Sequence, residues 1–317
     1  MFSRNLIAEC LPWLVGAVCF FAFPDYLQLG SQVLIMVLFA LSLDMILGYA
    51  GIVSLGHAAL FGTGAYTAGI LSAHLGWSEP VTGLLIAGLV SGLVGLVCGA
   101  MVLRTRGLTL LMLTMAVTIL LQEFANEQEG WTGGDDGLQG VVMDPLLGVF
   151  EFDLYGNTAY LYCLAVLFVV FIAARTIIHS SFGQSLRGIR ENEQRMFAIG
   201  SPVYAQTLRI YTISAVMAGI AGALLAQTTE FVALDVLSFE RSGDVLIMLI
   251  LGGTGRLYGA FVGAPMYMIL QDQLARFSPE YWLFGIGVLL IMTVLYAPEG
   301  LLGIVERFGD RTRRQTS

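Results

Sequence analysis

The chain lacks lysine altogether. Its 15 basic residues are all arginines, and charged residues of either sign make up only 12% of its 317 positions. A P-loop ATPase holds the nucleotide phosphates with a lysine, and Schiff-base enzymes use a lysine as the nucleophile. The absence of lysine excludes both classes, so any ATP that drives this protein must be hydrolysed by another one.

Cysteine is also scarce. The four cysteines stand apart among apolar neighbours with no CxxC pair: Cys10, Cys19, Cys98 and Cys163. Isolated thiols of this kind are typical of inert core residues rather than of metal or redox sites. Neither HExxH nor GxSxG occurs, so the usual residues of an intramembrane protease are missing. We expect no catalytic site, no metal site and no cofactor.

Long apolar runs, by contrast, cover almost the whole chain. Hydrophobic residues reach 57% and the mean hydropathy is +0.80, whereas a bilayer crossing needs about 20 apolar residues. Hydropathy and turn signals therefore predict an all-α polytopic membrane protein with about ten transmembrane helices, the third and eighth of them either continuous or re-entrant. The predicted spans are 11–29, 31–48, 54–75, 81–103, 107–124, 157–175, 206–227, 243–254, 258–273 and 281–297.

The arginines predict the orientation of these spans. With the N-terminus inside, only Arg241 and Arg276 fall on the outer surface, and the other arginines fall inside, as in cytoplasmic loops. The stretch 107–174 contains acidic residues but no basic one. Both termini are therefore expected in the cytoplasm.

A single permease domain with two halves is the simplest organisation. The halves, 1–124 and 157–300, hold five predicted spans each, with an outer loop at 125–156 and a cytoplasmic tail at 301–317. Because five is odd, the halves would have opposite orientations, as in the inverted repeats of many transporters.

A few residues inside predicted spans mark a candidate translocation path, namely the polar Asp44, Ser54 and His57 together with Gly56. The run GYAGIVSLGHAALFGTGAY is too rich in glycine for a simple lipid-facing helix, and glycine permits close backbone approach. It predicts either a path lining or a packing seam in which His57 bonds a neighbouring carbonyl. Asp44 could pair with an inner arginine, cap the glycine-rich run or carry a proton, and the residues favour pairing.

A polar segment at 181–200 predicts an amphipathic helix on the inner side. Leu186, Ile189, Met196 and Phe197 fall on one stripe of the helical wheel, and arginines and glutamates cover most of the rest. Such a helix either lies in the lipid headgroups or fills a groove in a partner protein. The residues alone favour neither reading.

Four motifs in a fixed order resemble those of the branched-chain amino-acid ABC permease family, the LivM-type subunit in particular. They are GYAGIVSLGHAALFGTGAY, TGGDDGL, FGQSLRGIREN…AIG and LILGGTGRLYGAFVGA. The resemblance implies a bacterial inner-membrane importer of leucine, isoleucine and valine. Its partners would be the lipid bilayer, a second, LivH-like permease, two cytoplasmic ATPase subunits and a periplasmic substrate-binding protein, with no nucleic acid.

The resemblance also assigns roles to residues. It places Ser54, Gly56 and His57 near the translocation route. It implies an ATPase-coupling helix that contains Gly183, Leu186, Arg187, Ile189, Arg190, Glu191, Asn192 and Gly200. Related permeases for urea, amides or aromatic acids share much of the pattern, so these cargoes are alternatives. A proton-coupled secondary transporter that uses Asp44 and His57 is the rival class.

Overall fold

The computed structural model describes residues 3–277 apart from 147, 149, 154 and 155, and then 280–296, 300, 301 and 303. No β-strand occurs in this part of the chain. Its α-helices are α1 (Ser3–Ala22), α2 (Leu27–Ala50), α3 (His57–Leu75), α4 (Pro80–Val102), α5 (Leu108–Glu127), α6 (Glu129–Thr132), α7 (Asn157–His179), α8 (Ser181–Glu191), α9 (Glu193–Ala198), α10 (Val203–Thr229), α11 (Phe239–Gly252), α12 (Gly259–Phe277) and α13 (Trp282–Tyr296). Short 3₁₀ helices cover Pro24–Tyr26, Gly134–Asp136 and Leu234–Leu237.

Each of the ten predicted spans overlaps one long helix, namely α1 to α5, α7 and α10 to α13. Five of these helices, α2, α4, α5, α7 and α10, are long and apolar enough to cross a membrane. The predicted tail, with Arg307, Arg311, Arg313 and Arg314, lies almost wholly outside the described residues.

The predicted boundary between the first two spans, at residues 29–31, is wrong. The chain turns at residues 23–26 instead, where Pro24 opens a 3₁₀ turn. Gly30 lies inside α2, and a Cβ there would come within 2.7 Å of the Tyr160 ring on α7. This glycine therefore allows two helices to approach each other, and it does not mark a loop.

Helices α2 and α10 form the centre of the bundle, and α10 packs closely against α3 and α4. The seam between α4 and α10 follows a row of glycines on α4: Gly88, Gly92, Gly95 and Gly99. A Cβ at any of them would press on a side chain of α10. Small residues at this spacing let helix backbones approach closely in lipid.

A non-helical segment at 51–56 turns back into the bundle after α2. The first residue of α3, His57, contacts Ser42 of α2 and Ser214 of α10. Ser42 lies eight residues before the last residue of α2, which corresponds to roughly 12 Å along the helix axis. Helix α3 therefore begins inside the bundle and runs outward from there.

A second segment without α-helix, 230–238, enters the bundle from the opposite end. Its 3₁₀ turn places Leu237 against Gly62 of α3, where a Cβ on the glycine would overlap the leucine side chain. Helix α11 then starts at Phe239, and the hydroxyl of Ser242 accepts a hydrogen bond from the Ala58 amide at 2.9 Å. The first turns of α3 and α11 thus meet within the bundle. The helices of the third and eighth predicted spans, α3 and α11, are each continuous and begin within the bundle rather than at its ends.

The close contact between α3 and α10 yields a stability prediction. A Cβ at Gly64 of α3 would overlap the backbone of Gly219 in α10, whereas a Cβ at Gly243 of α11 would meet no atom within 4 Å. Gly64→Ala should lower the unfolding free energy by about 1–3 kcal/mol through overpacking. The control Gly243→Ala should be neutral or stabilising by up to about 1 kcal/mol. Thermal unfolding of the purified protein in detergent measures both, and equal shifts would contradict this packing.

Candidate functional site

The predicted path residues occupy two separate places. Asp44 lies two turns before the end of α2, whereas Ser54, Gly56 and His57 gather at the start of α3. The predicted coupling segment packs beside the end of α2.

Asp44 is a fully buried carboxylate that joins α2 to the loop between α11 and α12. Its Oδ1 accepts a hydrogen bond from the Gly255 amide at 2.7 Å, and its Oδ2 has no partner among the described atoms. A Cβ at Gly48 would overlap Asp44 Oδ1, and Gly255 adopts a φ of +77°. Glycine is therefore needed on both sides of this contact.

Arg190 of α8 reaches the same place. Its Nη1 donates a hydrogen bond to the Gly48 carbonyl, one turn from Asp44. Asp44 bonds the Gly255 amide and not an arginine, so the predicted ion pair is replaced by this arrangement. The Arg190 guanidinium thus connects α8 to the last turn of α2.

Two cavities flank Arg190. One of about 530 Å³ is lined by Gly48, Tyr49, Arg187, Arg190, Glu191 and Gly255. In it the Arg187 guanidinium lies 5.4 Å from the centre of the Tyr49 ring, a cation–π contact. The other, of about 410 Å³, lies against the 51–53 segment and the loop between α4 and α5. Movement of Arg190 would therefore change both spaces.

His57 ties three helices together. Its Nε2 lies 2.8 Å from Ser42 Oγ and 3.4 Å from Ser214 Oγ. Both hydroxyl protons are already donated, from Ser42 to the Phe39 carbonyl and from Ser214 to the Ser42 carbonyl. We therefore assign the proton to Nε2. Nδ1 is then a buried acceptor with no partner among the described atoms.

Ser54 and Gly56 fix the entry of α3. Ser54 Oγ accepts a hydrogen bond from the Gly56 amide at 3.2 Å, and the Leu55 amide donates to Thr114 Oγ1 of α5 at 3.2 Å. A Cβ at Gly56 would lie 2.5 Å from the Thr114 carbonyl oxygen. The Ser54 and Thr114 hydroxyls thus accept hydrogen bonds from backbone amides that no helix pairs, and they fix the position of the chain before α3.

The predicted coupling segment is two helices rather than one. Asn192 lies between α8 and α9, and its side chain accepts a hydrogen bond from the Arg195 amide at 2.9 Å, capping α9. Leu186 and Ile189 are buried in the bundle core. The interpretation that these two residues fill a partner's groove is therefore wrong. The exposed apolar side chains here are Phe197 (75%) and Ile199 (71%).

The other residues of the segment surround this surface. Gly183 turns the chain against the end of α7, where a Cβ would overlap the Ile178 backbone. Gly200 ends the segment with a φ of +83°. The side chains that lie on the exposed side are Arg187, Arg190, Glu191 and Asn192.

Sequence reasoning missed one charged pair. Arg241 Nη2 lies 2.6 Å from Asp235 Oδ2, and both residues belong to the segment that enters the bundle before and at the start of α11. Arg241, which the sequence predicted on the outer surface, thus lies in a segment that packs into the bundle. The available signal was the density of charge between two apolar spans, in Asp235, Glu240, Arg241 and Asp244.

The Asp44 contact yields a prediction with a built-in comparison. Asp44→Asn keeps an acceptor for the Gly255 amide, whereas Asp44→Ala leaves that buried amide without a partner. An unsatisfied buried donor costs about 1–3 kcal/mol, so Ala should lower the unfolding free energy by that much more than Asn. The exposed Asp272→Ala should change it by less than about 0.5 kcal/mol. Equal losses for Asn and Ala in thermal unfolding would contradict the role of this bond.

Comparisons with known proteins agree with this architecture. Residues 26–294 match the family described as branched-chain amino acid transport system, permease component. The chain is 27% identical to the high-affinity branched-chain amino acid transport permease LivM of Salmonella typhimurium, over 87% of this chain and 69% of that protein, and the LivM of Escherichia coli gives the same values.

It is also 25% identical to the LivH permease of Escherichia coli, over 84% of this chain and 90% of that protein. No solved structure matches. Because the family match covers most of the chain and the helices are those of a multi-pass membrane protein, the chain belongs to the family of branched-chain amino acid transport system permease components.

Proposed function

We propose that this protein is one permease subunit of an ATP-driven importer of leucine, isoleucine and valine in the bacterial inner membrane. The observation that carries the proposal is the family match over residues 26–294, together with relatives whose names state branched-chain amino acid transport. The chain has no lysine for a P-loop. Separate cytoplasmic subunits therefore hydrolyse the ATP, a LivH-like subunit forms the second half of the pore, and a periplasmic binding protein delivers the cargo.

The whole chain is one permease domain of ten crossing helices in two inverted halves. The contacts of the first half recur in the second, since α3 packs on α4 as α11 packs on α12. Likewise α10 contacts α3 and α4, while α2 contacts α11 and α12. Both α2 and α10 end in a residue with left-handed backbone, Gly51 and Glu230, just before the segment that enters the bundle. These correspondences support the repeat that the span count predicts.

The α8 end of the bundle faces the cytoplasm. It carries the arginines of the inner loops, among them Arg104, Arg106, Arg187 and Arg195, as positive residues do on the cytoplasmic side. The loop at the other end carries acids and no base, in keeping with an outer surface.

This orientation predicts a labelling pattern. In a background without cysteines, Asp136→Cys should react with a membrane-impermeant thiol reagent applied to the outside of intact cells. Gln194→Cys, on α9, should react only after the membrane is opened. Both positions are exposed, so accessibility to the reagent depends on the side of the membrane. The reverse pattern would contradict the orientation.

Helices α8 and α9 connect the ATPase to the pore. Phe197 and Ile199 offer an apolar contact at the cytoplasmic end, and the arginines around them offer charge. Beside this surface, Arg190 donates a hydrogen bond to the Gly48 carbonyl of α2. One turn earlier on α2, Asp44 accepts a hydrogen bond from the Gly255 amide. A displacement of α8 is thereby passed to α2 and to the loop after α11.

The docking surface predicts separable effects of two substitutions. Phe197→Asp places a charge in the contact with the ATPase, where an unpaired buried charge costs several kcal/mol. ATPase subunits should then no longer copurify, while the permease still folds because Phe197 is exposed. Leu186→Asp should instead reduce folded yield, because Leu186 is buried. Gln139→Asp, on the outer loop, is the matched control.

The same experiment tests the proposed function itself. Wild-type protein expressed with its own operon should bring down ATPase subunits from detergent extracts. Failure of any ATPase to copurify with the wild type would contradict an importer. If the Phe197→Asp variant copurifies as much ATPase as the wild type, the importer is still supported but this docking surface is wrong.

A further inference from the structure

The Asp235–Arg241 pair lies at the middle depth of the bundle. Leu237, between them in sequence, packs on Gly62 of α3, and Ser242 bonds the Ala58 amide. Gly64, half a turn beyond Gly62, packs on Gly219 of α10, which is 16 residues from one end of that helix and 10 from the other. Gly219 thus lies roughly 24 Å and 15 Å along the axis from the two ends of α10, and the segment that carries the pair reaches this middle part of the bundle.

The pair is nevertheless open on one side of the bundle. The Asp235 side chain is 59% exposed and the Arg241 side chain 26%. Glu240, between them on the first turn of α11, is exposed as well. Charges at this depth are costly in hydrocarbon and are found facing a protein interior or a water-filled path. The face that bears them is therefore not a lipid-facing surface.

We propose that Asp235, Glu240 and Arg241 form the site at which the translocated solute is held midway through the membrane, and that the solute is a zwitterionic amino acid with an apolar side chain. The inference rests on the proposed function and assigns its binding residues. The Arg241 guanidinium takes the solute carboxylate, a pairing that the planar fork of arginine favours. Asp235 or Glu240 takes the ammonium group.

Neighbouring residues complete such a site. Tyr66 of α3 is buried, its hydroxyl has no partner among the described atoms, and it is close enough to Asp235 to interact electrostatically. The half-exposed ring of Phe239 offers an apolar contact for the solute side chain. Ser238 caps α11 by accepting the Arg241 amide at 3.2 Å, which fixes the backbone that presents the guanidinium. When no solute is bound, Asp235 and Arg241 neutralise each other.

The first experiment asks whether water reaches this face. In the cysteine-free protein assembled with its partner subunits, Gly243→Cys should react with a charged, water-soluble thiol reagent in permeable membrane vesicles. A side chain at position 243 meets open space and replaces none of the proposed ligands. Leu89→Cys, exposed on α4, is the lipid-facing control and should react at least about tenfold more slowly, since such reagents attack thiolates in water. Equal, slow reaction at both positions would overturn the proposal.

The second experiment asks what the site recognises. Leucine should slow the labelling of Gly243→Cys, whereas 4-methylpentanoate, which lacks the amino group, and isoamylamine, which lacks the carboxylate, should protect less. Arg241→Gln should abolish protection by leucine. Protection that is unchanged by Arg241→Gln would overturn the assignment of the guanidinium.

Transport measurements supply a matched control. The chain has a second arginine–aspartate pair, Arg276 with Asp272, which is exposed on α12. At leucine concentrations well below KM, uptake should fall about tenfold or more in Arg241→Gln and in the double variant of Asp235→Asn with Glu240→Gln. It should stay within about twofold of wild type in Arg276→Gln. An equal effect of the two arginine variants would overturn the site.

The outcomes separate this site from the proposed function. If the wild-type complex takes up leucine with ATP and the Arg241 variants do so equally well, the importer stands and the site is wrong. If the wild-type complex does not transport leucine but Gly243→Cys is protected by another zwitterion, the site stands and the cargo is wrong.

Discussion

A backbone that leaves the helix inside a membrane has no water to bond, so each of its polar groups must find a partner within the protein. This chain breaks its helices twice, at 51–56 and at 230–238, and the surrounding structure is arranged to satisfy the breaks. Hydroxyls of Ser54, Thr114 and Ser242 accept the freed amides around the start of α3. Leu138 and Val232 exchange a pair of backbone hydrogen bonds at the end of the bundle away from α8. Both segments follow directly after one of the two central helices, α2 and α10, and lead into helices that pack against this pair.

The two segments that leave the α-helix bring polar side chains into the bundle, namely His57 at the start of α3 and the Asp235–Arg241 pair before and at the start of α11. His57 begins α3 at the level of Ser42 and Ser214, and the charged turn before α11 comes to the same depth from the other side. Close approach of the backbones is possible only because glycines stand at the contacts, as at Gly56 against Thr114 and Gly62 against Leu237. At the α8 end of the bundle, glycines likewise allow Asp44 to bond the Gly255 amide, next to Arg190 of α8. The two polar sites are therefore consequences of one packing scheme.

Much of this could be predicted from the sequence. Apolar runs and turn signals predicted ten spans, and each of them overlaps a long helix, because an apolar run can be recognised from the local sequence alone. The misassigned Gly30 shows the limit, since a glycine in a turn and a glycine under a tyrosine ring look alike in sequence. The burial of Leu186 and Ile189 within this chain was not predicted either, because a helical wheel identifies an apolar face but not whether this chain or a partner covers it. The position of Arg241 could not be predicted either. It depends on a segment that enters the bundle, whereas counting arginines between spans treats that segment as an outer loop.

The most direct test of the whole account is solute uptake by the purified complex in proteoliposomes, with this chain, its second permease, its ATPase subunits and its binding protein. The account predicts uptake of leucine that requires ATP, is competed by isoleucine and valine, and is unaffected by urea or benzoate. Competition by urea or an aromatic acid, without competition by isoleucine or valine, would show that the protein belongs to the same class of importer but carries a different solute. Leucine uptake driven by a proton gradient through this chain alone, with no ATP, would contradict the central claim.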